Sequence, residues 1–379
     1  MYAITDDQQA LVDMVRQFAA DSLAPKAAEW DETHHFPVDV LQQAGELGMG
    51  AMYCSEDFGG SGLTRADAVL IFEELAKGDT TIASYISIHN MVAWMIDTYG
   101  TDAQREEWVP KLATMEHLGS YCLTEPGAGS DAAALSTRAV RDGDDYVING
   151  TKQFISGAGT SAIYVVMVRT ADTGSDGVTA VLVPDGTPGL SFGPLEKKMG
   201  WHAQPTRQVI FEDVRIPVTH RLSEEGSGFG IAMNGLNGGR LNIGACSLGG
   251  GQAALDKAVE HVKSRVAFGK PLVQQQSIVF ELADMDMQLE SARTLLARAA
   301  ESLDNGDADK VKLCAMAKRV ATDAGFNVAN SALQLHGGYG YLTEYGLERI
   351  VRDLRVHQIL ECTNEIMRLI VGRSLVGRG

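Results

Sequence analysis

The chain has 379 residues, of which 45% are hydrophobic and 21% are charged, and its formal net charge at pH 7 is −17. This length exceeds what one ordinary hydrophobic core organises, so we expect two or three domains. The acidic balance argues against a nucleic-acid partner, because duplex binding needs a basic face that displaces counterions. The five cysteines show no CxxC spacing and no HExxH motif occurs, which argues against a metal site.

The N-terminal third shows helical periodicity. Apolar residues recur at helical spacing behind a Thr5/Gln8 capping box, and the pattern returns from Thr64 to a stop at Gly78. The opening MYAITDDQQA is acidic, unlike a secretory or transit leader, and no run of about eighteen apolar residues occurs. We therefore predict a helical domain over residues 1–118 in a cytoplasmic protein without a membrane span.

The periodicity changes after residue 118. A hairpin is predicted with its turn at Asp142 and Gly143, and strand-like runs follow at AIYVVMVR, VTAVLVP and RQVIFEDVRIP. These patterns predict a β domain over residues 119–228. Over residues 229–379, Ala, Leu and Met recur at helical spacing with glycines at the stops, which predicts an antiparallel bundle of four or five helices.

Two glycine-rich segments each leave two interpretations open. LTEPGAGSDAAA fits the loose G-x-G-x-x-A spacing with Gly127, Gly129 and Ala132, but a helical domain precedes it and strands follow, so a βαβ dinucleotide unit is not indicated. The segment is either a flexible domain junction or a ligand contact through Thr124, Ser130 and backbone N–H groups. QLHGGYGY likewise either ends a helix or leaves room for a ligand.

The segment HQILECTNEIMR places a carboxylate in an apolar setting. Glu361 follows Ile359 and Leu360 and precedes Cys362, where one helix is predicted to end and another to begin. Glu361 is therefore either a helix-end residue or a base whose pKa is raised by burial. The residues alone favour the helix-end interpretation.

Six segments, in this order along the chain, resemble the successive motifs of the acyl-CoA dehydrogenase family: YCLTEPGAGSD, NGTKQFISGAG, FEDVRIP, SRVAFGKPLVQQQ, LQLHGGYGY and HQILECTNEIMR. The resemblance implies an α+β multidomain fold with an N-terminal helical domain, a middle β-barrel-like domain and a C-terminal antiparallel helix bundle. It also implies FAD, an acyl-CoA substrate, an electron-transfer flavoprotein as electron acceptor and a homotetramer. GWHAQPTRQ and GLNGGRLNIGACSLG resemble the branch that acts on isobutyryl-CoA in valine breakdown.

The resemblance also implies roles for individual residues. Glu361 matches the base that removes the α-proton, after which hydride passes to the flavin and a 2,3-enoyl-CoA forms; Arg240 matches a residue beside that base. The positions matching FAD contacts are Cys122, Leu123, Thr124, Gly129, Ser130, Phe154, Ile155, Ser156, Arg265, Phe268, Gln276, Gln334, Leu335, Gly337, Gly338, Thr363 and Glu365. The positions matching substrate contacts are Ser130, Asn237, Gly238, Gly239, Arg240 and Arg373.

Several alternatives stay open. Arg240 also suits a helix end, and Arg373 also suits a solvated terminal segment. The competing functions are dehydrogenation of 2-methylbutyryl-CoA or butyryl-CoA, a flavin oxidase or monooxygenase on the same scaffold, and a helical binding protein without chemistry. The family generally has glycine after the base, where this chain has Cys362, so we expect a backbone angle at position 362 that ordinary residues adopt.

Overall fold

The computed structural model describes residues 4–377, and its first part is helical. The helices there are α1 (Asp6–Phe18), extended by a π-helical turn (Ala19–Leu23), α2 (Ala27–Thr33), α3 (Val38–Glu46), α4 (Arg65–Gly78), α5 (Thr80–Tyr99) and α6 (Asp102–Ala113). The predicted Thr5/Gln8 capping box opens α1, and Thr64 forms a second capping box with Asp67 at the start of α4. Both helix starts were therefore readable from the sequence.

The middle part is an eight-stranded sheet. Its strands are β1 (Gly119–Cys122), β2 (Arg138–Asp142), β3 (Asp145–Ser156), β4 (Ile163–Arg169), β5 (Val178–Pro184), β6 (Leu190–Phe192), β7 (Thr206–Pro217) and β8 (Arg221–Leu222). The order is β6-β7-β3-β2-β4-β5-β8, with β1 paired to β4. In the predicted β2–β3 hairpin Asp142 pairs with Asp145, so the turn is Gly143 and Asp144, one residue later than predicted.

The two central strands β4 and β5 are buried on both faces, which explains their uninterrupted apolar runs. Val165 and Met167 of β4 pack in a cluster with side chains of α5 and α6. Val166 and Val168, which point the other way, pack against side chains of the neighbouring strands. The sheet therefore lies between the helices and a second core of its own.

The last part returns to helices, with one short hairpin. The elements are α7 (Gly228–Ser264), β9 (Val266–Ala267), β10 (Lys270–Pro271), α8 (Gln276–Asp304), α9 (Lys310–Leu335), α10 (Leu347–His357) and α11 (Asn364–Leu375). Helix α7 lies at the centre and packs against α4, α5, α8, α9 and α10. A Cβ at Gly249 would lie 2.1 Å from the carbonyl oxygen of Glu73 in α4, so larger residues there would force the helices apart.

No helix within residues 4–377 combines the length and apolarity that a bilayer crossing requires. The same residues contain no group of three or more His, Cys, Asp and Glu side chains placed to hold a metal ion.

The three-part architecture predicted from the periodicity is confirmed.

A buried ion pair fixes the loop that follows β1. Lys152 on β3 donates from Nζ to Glu125 Oε1 at 2.7 Å and to the carbonyl oxygen of Leu123 at 3.1 Å. Glu125 also accepts hydrogen bonds from the backbone N–H groups of Ser136 at 2.6 Å and Thr137 at 2.9 Å. Burial alone would raise the pKa of Glu125, but the ammonium and the hydrogen bonds outweigh burial and lower that pKa to about 2. The Glu125–Lys152 pair thus joins the start of the loop at Leu123 to its end at Ser136 and Thr137.

Lys152→Met should lower the free energy of unfolding by about 3–5 kcal/mol at pH 7, because it leaves a buried carboxylate without its partner. The pKa of Glu125 in the folded protein lies below its ordinary value of 4.5, so the pair stabilises fully above pH 4.5 and progressively less as the pH falls toward 2. Urea denaturation at pH 7 and at pH 3 should therefore give a smaller difference between variant and wild type at pH 3.

The control is Lys26→Met, which removes an exposed i,i+3 pair with Glu29. This change should lower the free energy of unfolding by less than about 1 kcal/mol. Equal losses in the two lysine variants would show that the buried pair contributes no more than a surface pair.

Candidate active site

Glu361 lies in the short connection between α10 and α11, and its contacts decide between the two interpretations of this residue. Helix α10 ends at His357, and the side chain of Thr363 caps α11 by accepting a hydrogen bond from the N–H of Ile366 at 3.4 Å. The Glu361 carboxylate accepts no hydrogen bond from any residue in the range 4–377, and its Oε2 is buried. The capping role that a helix-end carboxylate would have thus belongs to Thr363.

The Glu361 carboxylate is desolvated against α7. A Cβ at Gly239 would lie 2.5 Å from Glu361 Oε2 and 2.7 Å from Cδ, so the carboxyl group occupies the space where another residue would carry a side chain. The residue as a whole is half-buried, while the carboxylate end faces the protein interior. Burial raises the pKa of Glu361 to about 7, against the opposing charges of Arg240 and Lys318. A carboxylate with such a pKa can take up a proton near neutral pH.

Polar groups without partners converge around this carboxylate. Tyr121 Oη and Arg240 Nε are buried and form no hydrogen bond within the described residues. Arg240 donates from Nη1 to Asn237 Oδ1 at 2.8 Å, and its Nη2 lies 3.7 Å from Cys362 Sγ. Burial and, secondarily, the charge of Glu361 raise the pKa of Tyr121, so its phenol keeps its proton. Buried polar groups are normally hydrogen-bonded, so this arrangement suits a polar ligand.

The backbone N–H of Glu361 is a further free donor. It forms no hydrogen bond to any acceptor in the part of the chain that the structure describes. A donor beside a base is the arrangement that stabilises negative charge as it develops on a carbonyl oxygen during proton removal.

The backbone at position 362 contradicts the prediction. Glu361 has φ +53° and Cys362 has φ +69°, both in the left-handed region, whereas an ordinary angle was expected at Cys362. The chain reverses here between two helices, and the N–H of Asn364 donates to the carbonyl oxygen of Gln358 at 3.0 Å across the reversal. Two non-glycine residues in this region cost on the order of 1–2 kcal/mol each, so surrounding contacts must hold them.

All the residues predicted to contact FAD except Thr363 and Glu365 fall into two groups. The first group lies at the end of β1, in the loop that follows it and at the end of β3: Cys122, Leu123, Thr124, Gly129, Ser130, Phe154, Ile155 and Ser156. The N–H of Gln153 donates to the carbonyl oxygen of Thr124 at 2.8 Å and so joins the loop to the strand. The side chains of Cys122 and Ile155 are buried in the sheet core, so only their backbone is available to a ligand.

The rest of the first group offers unoccupied polar atoms beside open backbone. The hydroxyls of Thr124, Ser130 and Ser156 form no hydrogen bond with any residue from 4 to 377. A Cβ at Gly127 or Gly129 would meet no atom within 4 Å. Free hydroxyls next to an open glycine backbone fit a planar polar ring, as the resemblance implied.

The second group lies elsewhere on the chain: Arg265, Phe268, Gln276, Gln334, Leu335, Gly337 and Gly338. The Arg265 guanidinium lies 5.4 Å from the ring centroid of Tyr339, and the rings of His261 and His336 stack at 4.1 Å. Phe268 is 96% exposed in the turn between β9 and β10. Within the described chain, no hydrogen bond, ion pair or ring contact joins this group to the first.

The remaining predicted residues divide between the site and its periphery. Asn237, Gly238, Gly239 and Arg240 lie on the buried part of α7 that faces Glu361 and Arg65, and their contact with substrate stays a prediction. Thr363 and Glu365 begin α11, and the side chain of Glu365 is exposed. Arg373 is exposed in the last turn of α11, and no hydrogen bond or ion pair in residues 4–377 links it to the Glu361 group.

Three residues around Glu361 and Gly238 were missed at the level of sequence: Tyr121, Lys318 and Arg65. The available signal for Lys318 is its helical phase, because it shares a face of α9 with the buried Cys314 and Ala321. A lysine in phase with apolar residues is unusual, since lysine is almost never fully buried without a partner. Tyr121 and Arg65 give no such signal, because each looks like an ordinary strand or helix residue in a single sequence.

Models of the three acyl-CoA dehydrogenase domains match most of the chain: the N-terminal domain over residues 5–116, the middle domain over 120–214 and the C-terminal domain over 226–376. A relative from Dictyostelium discoideum, named isobutyryl-CoA dehydrogenase, mitochondrial, is 52% identical over 373 residues, which cover 98% of this chain and 90% of that protein. Sequence similarity thus extends over all three parts of the fold.

Solved structures agree. A chain in a structure of the electron transferring flavoprotein of Acidaminococcus fermentans matches with a TM-score of 0.97 at 38% identity, covering 99% of each chain. A glutaryl-CoA dehydrogenase from Mycobacterium smegmatis, in complex with FADH2, matches with a TM-score of 0.94 at 29% identity, covering 99% of this chain and 95% of that one. The family models, the relative and the shared architecture lead to one conclusion: this chain belongs to the acyl-CoA dehydrogenase family.

Proposed function

We propose that this protein is an FAD-dependent dehydrogenase of short branched-chain acyl-CoA thioesters, with isobutyryl-CoA favoured, and that Glu361 removes the α-proton. The observation that carries the proposal is the buried, unpartnered Glu361 carboxylate whose pKa is raised to about 7. The 52% identity to the isobutyryl-CoA dehydrogenase of Dictyostelium discoideum supports the choice of acyl group.

The chemistry follows from the acidity of the substrate. The α-hydrogen of a thioester is weakly acidic, so its removal needs a base of raised pKa and a donor for the carbonyl oxygen. Glu361 supplies the base and receives the proton on its carboxylate, and its free backbone N–H supplies a donor in the same connection. FAD, when bound, supplies the acceptor for the β-hydrogen as hydride, and the product is the 2,3-enoyl-CoA.

The loop after β1 and the end of β3 would hold the isoalloxazine ring of FAD. The free hydroxyls of Thr124, Ser130 and Ser156 can each take one polar atom of the ring, and Gly129 allows close approach of the backbone. The FADH2 bound to the Mycobacterium smegmatis relative supports FAD as the cofactor.

The second group of predicted FAD residues supports a homotetramer. A phenylalanine side chain that is 96% exposed, as Phe268 is, suits a residue that reaches a neighbouring subunit. A second copy would then bring Arg265, Phe268 and Gln276 to the FAD.

An electron-transfer flavoprotein as electron acceptor is supported by the likeness to a chain in the Acidaminococcus fermentans structure.

The free cysteines of the described chain fit a reducing compartment such as the cytoplasm.

The surroundings of Gly238 support a short acyl group. The Arg65 guanidinium lies 3.4 Å from the ring centroid of Tyr53 and 5.2 Å from that of Trp94. A Cβ at Gly238 would lie 2.4 Å from Arg65 Nη1, so the guanidinium fills the space beside the Gly238–Gly239 pair. The Arg65 side chain forms no ion pair within residues 4–377, and a buried cation is an unfavourable neighbour for a long alkyl chain.

Glu361→Gln should keep the fold and the FAD content but lose substrate-driven flavin reduction by about 10²- to 10⁴-fold, because the amide cannot accept the proton. Anaerobic stopped-flow mixing with isobutyryl-CoA measures the rate. In the wild type, kcat/KM should rise with pH through about 7 as Glu361 loses its proton. The control is Glu260→Gln, which changes an exposed carboxylate on α7. Reduction of Glu361→Gln at the wild-type rate would assign the base to another carboxylate.

Gly239→Ala should slow flavin reduction by roughly 10²-fold, because the added methyl group overlaps the Glu361 carboxylate and moves it from the reacting carbon. The FAD content should stay at the wild-type level. Gly230→Ala on the same helix is the matched control, since its Cβ would meet no atom within 4 Å. If the two alanine variants react equally fast, the contact between Gly239 and Glu361 has no part in the reaction.

Isobutyryl-CoA should give a higher kcat/KM than octanoyl-CoA, with 2-methylbutyryl-CoA and butyryl-CoA between them, because Arg65 and its two aromatic neighbours limit the room for a longer chain. Steady-state assays with the four thioesters measure the order. A preference for octanoyl-CoA would contradict the proposed substrate and leave the family assignment unchanged.

A further inference from the structure

We propose that Lys318 is a positioning residue, whose buried ammonium holds the turn at Glu361 and Cys362 and so sets the place of the Glu361 carboxylate. The inference rests on the proposed role of Glu361 as the base. Lys318 lies on α9, and its side chain is 0% exposed. Its Nζ donates to the carbonyl oxygen of Cys362 at 2.9 Å and to Asn364 Oδ1 at 3.0 Å.

The setting of Lys318 is unusual for a lysine. Within residues 4–377 it forms no ion pair, and both of its acceptors are neutral oxygens. Burial lowers the pKa of Lys318 to about 8, against the opposing charge of Glu361, so the ammonium form still prevails at pH 7. Burying an ammonium lowers the stability of the folded protein, whereas a methionine in the same space would be buried without this desolvation cost. The two hydrogen bonds and the attraction of the Glu361 charge offset part of that cost.

The rest of α9 holds the ends of the same connection. Asn364 donates from Nδ2 to Thr322 Oγ1 at 3.0 Å and to Asp323 Oδ1 at 2.8 Å. Gln358 donates from Nε2 to Asp323 Oδ1 at 2.8 Å. Thr322 and Asp323 thus secure residues before and after the turn, whereas Lys318 contacts the turn itself.

The turn needs this support because its backbone is strained. Glu361 and Cys362 both have positive φ. Lys318 binds the carbonyl oxygen of Cys362, which belongs to the peptide group that joins Cys362 to Thr363. On the other side, Gly239 of α7 leaves room for the carboxylate. The base is therefore held between α9 and α7, and a small rotation of the turn would carry the carboxylate away from its place.

The ammonium also acts on the charge of Glu361. The titratable and charged groups that face this carboxylate are Arg240 on α7, Lys318 on α9, Tyr121 on β1 and Cys362 beside it. Both cations favour the ionised carboxylate. Replacing Lys318 by a neutral residue removes one of them, so Glu361 should take up its proton at a higher pH.

The test compares Lys318→Met with Lys318→Gln in the FAD-loaded enzyme. Lys318→Met should slow flavin reduction by isobutyryl-CoA by roughly 10²-fold and move the midpoint of the pH profile of kcat/KM upward by about one unit or more. Lys318→Gln keeps a shorter donor without the charge, so it should show the same shift of the midpoint with a smaller loss of rate. A crystal structure of either variant should show the Glu361 carboxylate displaced from Gly239.

Thr322→Val is the matched control on α9, because it removes a support of Asn364 and leaves the ammonium in place. Its pH midpoint should equal that of the wild type. Wild-type rate and midpoint in Lys318→Met would overturn the inference; if that variant fails to bind FAD, the same result in Lys318→Gln would do so. A shift in Thr322→Val equal to that of the lysine variants would also overturn it. Full activity of Glu361→Gln would instead reject the proposed function.

Discussion

The site depends on a carboxylate that lies where a helix has no side chain. Glu361 can be buried only because Gly239 leaves the necessary space, and burial without a hydrogen-bond partner is what raises its pKa to about 7. The two nearby cations limit this effect without cancelling it. A direct ion pair would lower the pKa and leave a weak base, whereas a site without any cation would favour the neutral acid at pH 7. The distance at which the cations are held therefore decides whether the group works as a base.

The same dependence on glycine extends along α7. Gly249 admits the carbonyl oxygen of Glu73 from α4, and Gly251 lies against Gly325 of α9, with a Cβ placed there at 3.0 Å from its Cα. Close helix packing brings Lys318 of α9 within reach of the connection that follows α10. One structural property, a central helix with little side-chain bulk, thus serves both the stability of the bundle and the geometry of the base.

Local signals predicted the fold well, and tertiary effects explain the differences. The capping box at Thr5 and the apolar runs of β4 and β5 depend on neighbours in sequence, so they could be read directly. The error at Cys362 arose because a side chain normally excludes positive φ, whereas here contacts from α9 outweigh that preference. Lys318 shares a helix face with buried apolar residues, which is a signal in the sequence, but a single sequence does not show which groups the ammonium meets there.

Some of the predicted site residues lie together within the described chain, and others do not. Glu361, Asn237 and Arg240 lie together in the fold although they are far apart in the sequence. Phe268 is 96% exposed, and the residues of the second group do not meet the first group within the described chain. Periodicity predicts helices and strands, but it does not encode which distant segments face one another.

Helix α7 has a mechanical consequence for the whole molecule. It runs unbroken for 37 residues, about 55 Å at 1.5 Å per residue. Near its start, Ile231 and Leu236 belong to the core shared with the sheet, while Leu241 and Leu248 belong to the core of the helical bundle. The two cores cannot swing apart about a hinge without breaking this helix. The sheet and the bundle are therefore mechanically coupled through α7.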